Sequence, residues 1–367
     1  MTYTLYINSM SPYSIKTSAL LGYAGVPSRV EYQNLVTRFT VLKRLTGKTM
    51  VPVLRRGEWA INDSTEIAHW AIRESDRRLL PDEKRLEPVC WLLEEFADEW
   101  ISRWMVHSRW YNAEDADEVA RRVGGEITGE VPAVGGPVGK LSAAAIKKGL
   151  SRGGVREANR RALEQSRDRT LQALENLFER REGFLFGGEP TVADFSLYGQ
   201  LEQYRRDPTG GSRMQMYPAI GEWLDDIDRM RLPHPVVAGR GGGVEPSDLS
   251  VLLGEFFGAY WPVVLAAHRA EHSGGVEATE SGDIAVELLD GTRFEFCPGR
   301  YLAGRLEFVV AQLDAICGAT PSLIAEEALG IRSAVEKVVD QLAGYGAGRR
   351  LLRAHPHLSG LDSPGAR

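Results

Sequence analysis

Ser11 heads the segment Ser11-Pro12-Tyr13-Ser14-Ile15-Lys16, where a strand-like run over 3–8 (YTLYIN) gives way to a helix-like run over 14–24. A hydroxyl in that place lies beside unpaired backbone N–H groups and the positive end of the helix dipole, surroundings that stabilise an anion such as a thiolate. Tyr6 offers a second hydroxyl, but it alternates with Leu5 and Ile7 along the strand and reads as a packing residue. Further on, Asp63-Ser64 sets two N-cap types at the start of another helix-like run, and such a helix start suits a carboxylate. Two other motifs do not hold. His268-Arg269-Ala270-Glu271-His272 matches an inverted zinc-protease pattern, yet it runs straight into Ser273-Gly274-Gly275 and no downstream carboxylate stands out as a third ligand. GGPVGKLS resembles a phosphate-binding loop but has Val134 and Leu141 where that loop needs Gly and Ser or Thr, so no nucleotide is implied. The expected site carries no metal.

Periodicity shows which elements must position these residues. Strand-like stretches at 3–8 and 29–33, a hairpin-like VPVLRRGEWAI turning at Arg56-Gly57, and helix-like runs at 14–24, 39–45 and after Asp63-Ser64 give the order β-α-β-α-β-β-α. One small mixed sheet covered by helices is the expected α/β unit, over 1–80. Residues 84–235 are expected to be all helical. A run at 86–110 carries Trp91, Leu92, Phe96, Trp100, Trp104 and Trp110, a second spans 155–181, and a buried helix follows a Thr191 cap with Asp194 three residues on. Residues 123–154, rich in Gly, read as a loop with a short helix at 141–149. A glycine-rich linker, GRGGGVEP, then leads into an α+β extension over 240–350 with helices at 250–272, 301–317 and 323–343 and a hairpin about Asp290-Gly291.

Composition narrows the function classes. The 367 residues include 44 Lys+Arg and 50 Asp+Glu, a net charge of −6, which offers no basic field for nucleic acid or for an anionic membrane. Three cysteines without a CxxC spacing argue against a disulfide framework, and no N-terminal leader pattern or run of about 18 uncharged apolar residues stands out, so a reducing cytoplasm is the expected location.

The stretch SPYSIKTSALLGYAGV resembles the first strand-turn-helix of the glutathione transferase superfamily, of its omega and zeta classes in particular, with Ser11 at the place of their catalytic cysteine or serine. Met50-Val51-Pro52-Val53-Leu54 is similar to the superfamily's cis-proline segment, Asp63-Ser64 to its acidic-residue-then-serine pair, Thr191-Val192-Ala193-Asp194 to its helix-capping box and YPAIGEWLDDIDRM to a late helix. The likeness spans roughly residues 3–230. It implies a thioredoxin-like first domain, an all-helical second domain, and glutathione as co-substrate.

The same resemblance implies roles. Ser11 would donate a hydrogen bond to the glutathione sulfur. Free thiols ionise near pH 8.5, and one such bond with the helix dipole could lower that by about 1–2 units. Tyr13, Lys48, Val51, Pro52, Asp63 and Ser64 would hold the tripeptide: Val51 by backbone pairing with its cysteinyl part, Ser64 through its γ-glutamyl carboxylate. Lys48 is either a ligand of the glycyl carboxylate or a solvated loop lysine. Trp104, His107, Arg109 and Trp110 lie where the superfamily places its pocket for a hydrophobic electrophile, with core packing as the alternative reading. Serine forms no mixed disulfide, so reductase chemistry is disfavoured; Cys90, the nearest cysteine, reads as core. A homodimeric transferase is the leading expectation. The rivals are a non-catalytic binding or scaffold protein of the same fold, an enzyme using another small thiol, and a glutathione-dependent isomerase.

Overall fold

The first strand is buried on both faces, and the domain assembles around it. In the computed structural model, which describes residues 2–128, 132–180, 183–235, 249–272, 282–288 and 290–318, β1 (Tyr3–Ile7) sends Leu5 and Ile7 into the main core and Tyr6 to the opposite face, against Leu42 and Val53. That is the period-2 alternation of a strand. The chain continues through α1 (Pro12–Tyr23), β2 (Ser28–Tyr32), the short α2 (Leu35–Thr37) and α3 (Lys43–Thr46), the hairpin β3 (Val53–Arg56) and β4 (Trp59–Asn62), and α4 (Ser64–Glu74). The sheet order is β2-β1-β3-β4. β1 runs parallel to β2 with Leu5 opposite Val30, and antiparallel to β3 with Leu5 opposite Leu54. Gly57, at φ 64°, closes the hairpin in a conformation that only glycine adopts without cost. The expected element order is observed, with α2, a π-helical turn and α3 where a single short helix was expected at 39–45.

The second unit opens with α5 (Glu87–Phe96) and α6 (Ser102–Tyr111), joined without a break by a π-helical turn over Ala97–Ile101. Then follow α7 (Ala113–Thr128), α8 (Pro132–Arg152), α9 (Arg160–Arg180), α10 (Val192–Arg206), α11 (Pro208–Met214) and α12 (Pro218–Asp228). Asp194 accepts from the Thr191 amide at 2.9 Å, the Thr191 hydroxyl at 2.8 Å and the Leu185 amide at 2.8 Å, so the capping pair seen in sequence also ties down the preceding turn.

Most of the expected loop at 123–154 is instead the end of α7 and the whole of α8. Its glycines serve contact: a Cβ built on Gly124 would stand 1.9 Å from the Gly135 carbonyl oxygen, and one on Gly139 would stand 1.9 Å from that of Ala120. The two helices approach backbone to backbone, which composition alone cannot distinguish from a loop.

The extension supplies α13 (Ser250–Glu255), a π-helical turn, α14 (Trp261–His272), the hairpin β5 (Ile284–Glu287) and β6 (Arg293–Phe296), and α15 (Arg300–Gly318). It is no separate core. Phe256, Tyr260, Trp261 and Phe294 belong to the same buried cluster as Trp100 and Leu5. The Trp100 indole donates to Ser166 at 2.8 Å, and Ser166 donates to Glu255 at 3.0 Å. Val251–Glu271 is apolar and long enough to cross a membrane by composition and length, but 72% of its most apolar window is buried; core packing accounts for that apolarity. The linker and the expected helix at 323–343 lie outside the described residues.

Candidate functional site

A cavity of about 550 Å³ opens between the first unit, α5 and α15. One side is the segment Met50-Val51-Pro52, in which the Val51–Pro52 bond is cis, as the resemblance implied. Asn62 holds this segment, its side-chain amide donating to the Met50 carbonyl at 3.1 Å and the Pro52 carbonyl at 2.9 Å. Next comes the N-terminus of α4. Asp63 caps it by accepting from the Thr65 amide at 2.9 Å, and does so at φ 101°, a conformation that an L side chain seldom adopts and that tends to persist at functional sites. Ser64, buried at the first position of the helix, lines the cavity with Thr65, Glu66 and His69. Unpaired amides at a helix start and a hydroxyl beside them are suited to a carboxylate.

The other side is anionic. Glu95, Asp98 and Glu99 line it, with Tyr301, Arg305 and Phe308 of α15 above them. Lys16, buried on α1, donates to Glu94 at 2.6 Å and to Asp98 at 2.7 Å. Burial alone would favour its neutral form, but the two carboxylates outweigh that and keep it charged. Burial holds Asp98 well above the ordinary carboxylate range, against the pull of Lys16, and raises Glu99 in the same way with Glu95 adding to it. Arg305 pairs with the buried Glu95, which also accepts from the Tyr260 hydroxyl at 2.5 Å, and Tyr301 donates to Glu99 at 2.6 Å. Tyr13 donates its phenol proton to the Asp98 carbonyl at 2.9 Å, and burial pushes its ionisation far up.

Of the residues expected at the thiol site, Tyr13, Lys48, Val51, Pro52, Asp63 and Ser64 line this one cavity, whereas Ser11 is not among its lining residues. Ser11 caps α1, its hydroxyl oxygen accepting from the Ser14 amide at 3.3 Å. The four residues expected around an electrophile are not among the residues that line this cavity. Trp104 is buried edge-on to Tyr204, and Trp110 packs with Met10, Val119 and Val123. His107 stacks on Tyr111 at 4.7 Å. Arg109 bonds Asp207 at 2.6 Å, Gln203 at 2.7 Å and the Met10 carbonyl at 2.9 Å. Trp104 thus faces α10, Trp110 faces α7 and His107 lies beside the charges of α9, while Arg109 reaches the loop before Ser11 and holds its backbone at Met10. Gln203 and Glu126 clamp the same loop at Ser9. Cys90 is fully buried, its thiol pushed up to about 12 chiefly by burial. Among the described residues no group of three His, Cys, Asp or Glu is placed to hold a metal.

Sequence reading missed Asn62, Glu95, Asp98, Glu99, Tyr301 and Arg305. Asn62 had a signal in its place directly before Asp63-Ser64. The rest had none, since Tyr301 and Arg305 meet Glu99 and Glu95 across separations of 202 and 210 residues, which only the folded chain brings together.

Residues 5–78 match the family model described as glutathione S-transferase, N-terminal domain, and residues 157–226 match glutathione S-transferase, C-terminal domain. No curated protein matches the chain. Among solved structures it is similar to a GST-like protein from Pseudomonas syringae (19% identity, 65% of this chain and 69% of that one, TM-score 0.45). It is likewise similar to the beta-etherase LigF from Sphingobium sp. strain SYK-6 (18% identity, 62% and 95%, TM-score 0.46). A glutathione S-transferase from Methylobacterium radiotolerans in complex with glutathione sulfonate also matches (14% identity, 65% and 98%, TM-score 0.41).

Proposed function

Because the chain belongs to the glutathione S-transferase superfamily and carries its N-terminal and C-terminal domains in order, we propose that it is a glutathione-transferase-like enzyme whose co-substrate occupies the cavity beside Val51–Pro52 and Ser64. The observation that carries this reading is the meeting of the cis-proline segment and the α4 N-terminus on one cavity, inside the matched segment. The backbone of Val51 would pair with the cysteinyl part of the tripeptide. Ser64 and the first amides of α4 would take its γ-glutamyl carboxylate.

The reading assigns thiol activation to Ser11. Its oxygen accepts from Ser14, which leaves the hydroxyl hydrogen free to donate to a sulfur at the positive end of α1. The attacking species is then the thiolate, and the electrophile's leaving group or π-bond takes the electron pair. A second reading, a binding protein without transferase activity, is favoured by the place of Ser11 outside the cavity lining. A homodimer acting in the cytoplasm accompanies the leading reading; light scattering of the full chain checks the first of these.

Calorimetric titration of reduced glutathione into the full chain tests the assignment. Binding that weakens roughly tenfold in Ser64→Ala, the scale of one hydrogen bond to a charged group, supports the site. Thiolate absorbance near neutral pH that disappears in Ser11→Ala supports the enzyme. Unchanged thiolate absorbance in Ser11→Ala, with binding intact, would move the donor elsewhere, and Tyr13→Phe is the variant to read next. No binding at several millimolar would overturn the proposal.

A further inference from the structure

The turn that delivers Ser11 is held mostly by the second unit. Within the turn, the Ser11 amide donates to the Asn8 carbonyl at 3.1 Å and the Met10 amide to the Asn8 side-chain oxygen at 2.9 Å. From α10, Gln203 donates to the Ser9 carbonyl at 2.8 Å, and from α6, Arg109 donates to the Met10 carbonyl at 2.9 Å. From α7, Glu126 accepts from both donors of Ser9, the amide at 3.1 Å and the hydroxyl. Three of the four backbone polar groups of Ser9 and Met10 are therefore satisfied by helices of the second unit. The Met10 side chain shares a buried cluster with Val119 and Val123 of α7. Helix α10 lies inside a segment that the family model matches, whereas α7 falls between the two matched segments. We propose that Glu126 is a positioning residue for the thiol-activating hydroxyl: by holding Ser9 it fixes the turn from which Ser11 is presented to the sulfur. This builds on the assignment of thiol activation to Ser11 made above.

Ser11 caps α1, its oxygen accepting from the Ser14 amide, so the direction of its free hydrogen follows the backbone of the turn. Donation to a sulfur is directional, and a misplacement of about 1 Å in a reacting group can cost roughly a hundredfold. Gln203 and Arg109 secure carbonyls of the turn; Glu126 secures the amide and hydroxyl of Ser9, and its carboxylate makes both bonds charge-assisted, the stronger kind. Glu126 is half-buried and is not among the residues that line the cavity assigned to the tripeptide. Its influence on the sulfur therefore runs through Ser9 rather than through binding. The charge of Glu126 works in the opposite direction, because a nearby anion makes a thiol less acidic and removing it would by itself favour the thiolate. A loss of thiolate on removing Glu126 thus reports lost positioning.

Reduced glutathione is titrated into the full chain as wild type, Glu126→Ala, Glu126→Gln, Ser11→Ala and the double variant of Ser11→Ala with Glu126→Ala. Calorimetry reads affinity, and thiolate absorbance against pH reads the ionisation of the bound thiol. In Glu126→Ala the affinity should stay within about twofold while the bound thiol ionises about one unit higher, an up to roughly tenfold smaller thiolate fraction. Glu126→Gln, whose amide oxygen still accepts from Ser9, should restore the thiolate. The double variant should match Ser11→Ala alone, because a residue that acts through Ser11 has nothing left to act on once the hydroxyl is gone. A wild-type thiol titration in Glu126→Ala overturns the inference, whether or not affinity or stability has changed, and leaves the Ser11 assignment standing where Ser11→Ala still loses the thiolate. Further loss in the double variant overturns it too, since Glu126 would then reach the sulfur by another route. If Ser11→Ala keeps the wild-type thiolate, the Ser11 assignment falls and the inference with it.

Discussion

A buried imidazole stacked on a phenol ring is poorly placed to hold a proton, and His107 illustrates the consequence. Burial, with Arg160 adding to it, lowers its pKa from 6.5 to about 4. The unfolded chain therefore takes up a proton at this histidine before the folded one does. The stability this contributes is fully present above pH 6.5 and is lost as pH falls from 6.5 through 4. Denaturant unfolding of the wild type and His107→Phe across that range should show a steeper decline in the wild type, and parallel slopes would contradict the assignment. At this scale legibility followed locality. Val51, Pro52, Asp63 and Ser64 were readable because each role is set by immediate neighbours in the chain, a cis bond or a helix start. For Trp104, His107, Arg109 and Trp110 a pocket and core packing stayed equally readable, because a residue type does not say which face of its helix meets a cavity.

Helix α8 shows the same limit for an element. Glycine costs about 1 kcal/mol relative to alanine inside a helix, and this is why a glycine-rich stretch reads as loop. Here close backbone contact with α7 offsets that cost. Substitutions at two glycines of one helix should therefore differ in sign. At Gly136 an added Cβ meets nothing within 4 Å, so Gly136→Ala should be neutral or stabilise by up to about 1 kcal/mol. At Gly139 it would overlap the Ala120 carbonyl, so Gly139→Ala should destabilise by roughly 1–3 kcal/mol as the helices are forced apart. Unfolding midpoints of the two variants decide it; equal shifts would mean that α7 and α8 do not pack as described. The capping box at Thr191 and Asp194, by contrast, was visible in sequence because it spans one turn.

For the molecule as a whole, the extension acts as part of the core and as the roof of the site. Glu95 is fully buried and depends on Arg305 of α15 for its countercharge. Arg305→Ala should cost about 3 kcal/mol, since a buried charge that loses its partner is far worse than a pair removed together. Glu95→Gln added to Arg305→Ala should recover much of it, and chemical denaturation of the single and double variants measures both. Truncation after Pro235 should yield an insoluble or non-cooperative chain, because Trp100, Phe96 and Ser166 would lose Tyr260, Phe256 and Glu255. A soluble truncated protein with a sharp transition would show the extension to be dispensable for folding.

The sequence by itself determined the order of the first seven elements, the cis-proline segment, the helix starts at Ser11 and Ser64, and the capping of α10. These are properties of a few adjacent residues, set by backbone dihedrals, hydrogen bonds across one turn and the alternation of a strand. Only the tertiary structure decided that the glycines of α7 and α8 face each other, that Arg109 holds a loop, and that carboxylates of α5 and the π-helical turn after it share a cavity with α15. Those outcomes depend on how helix faces pair across long separations in the chain, which is settled by packing and charge in the assembled core.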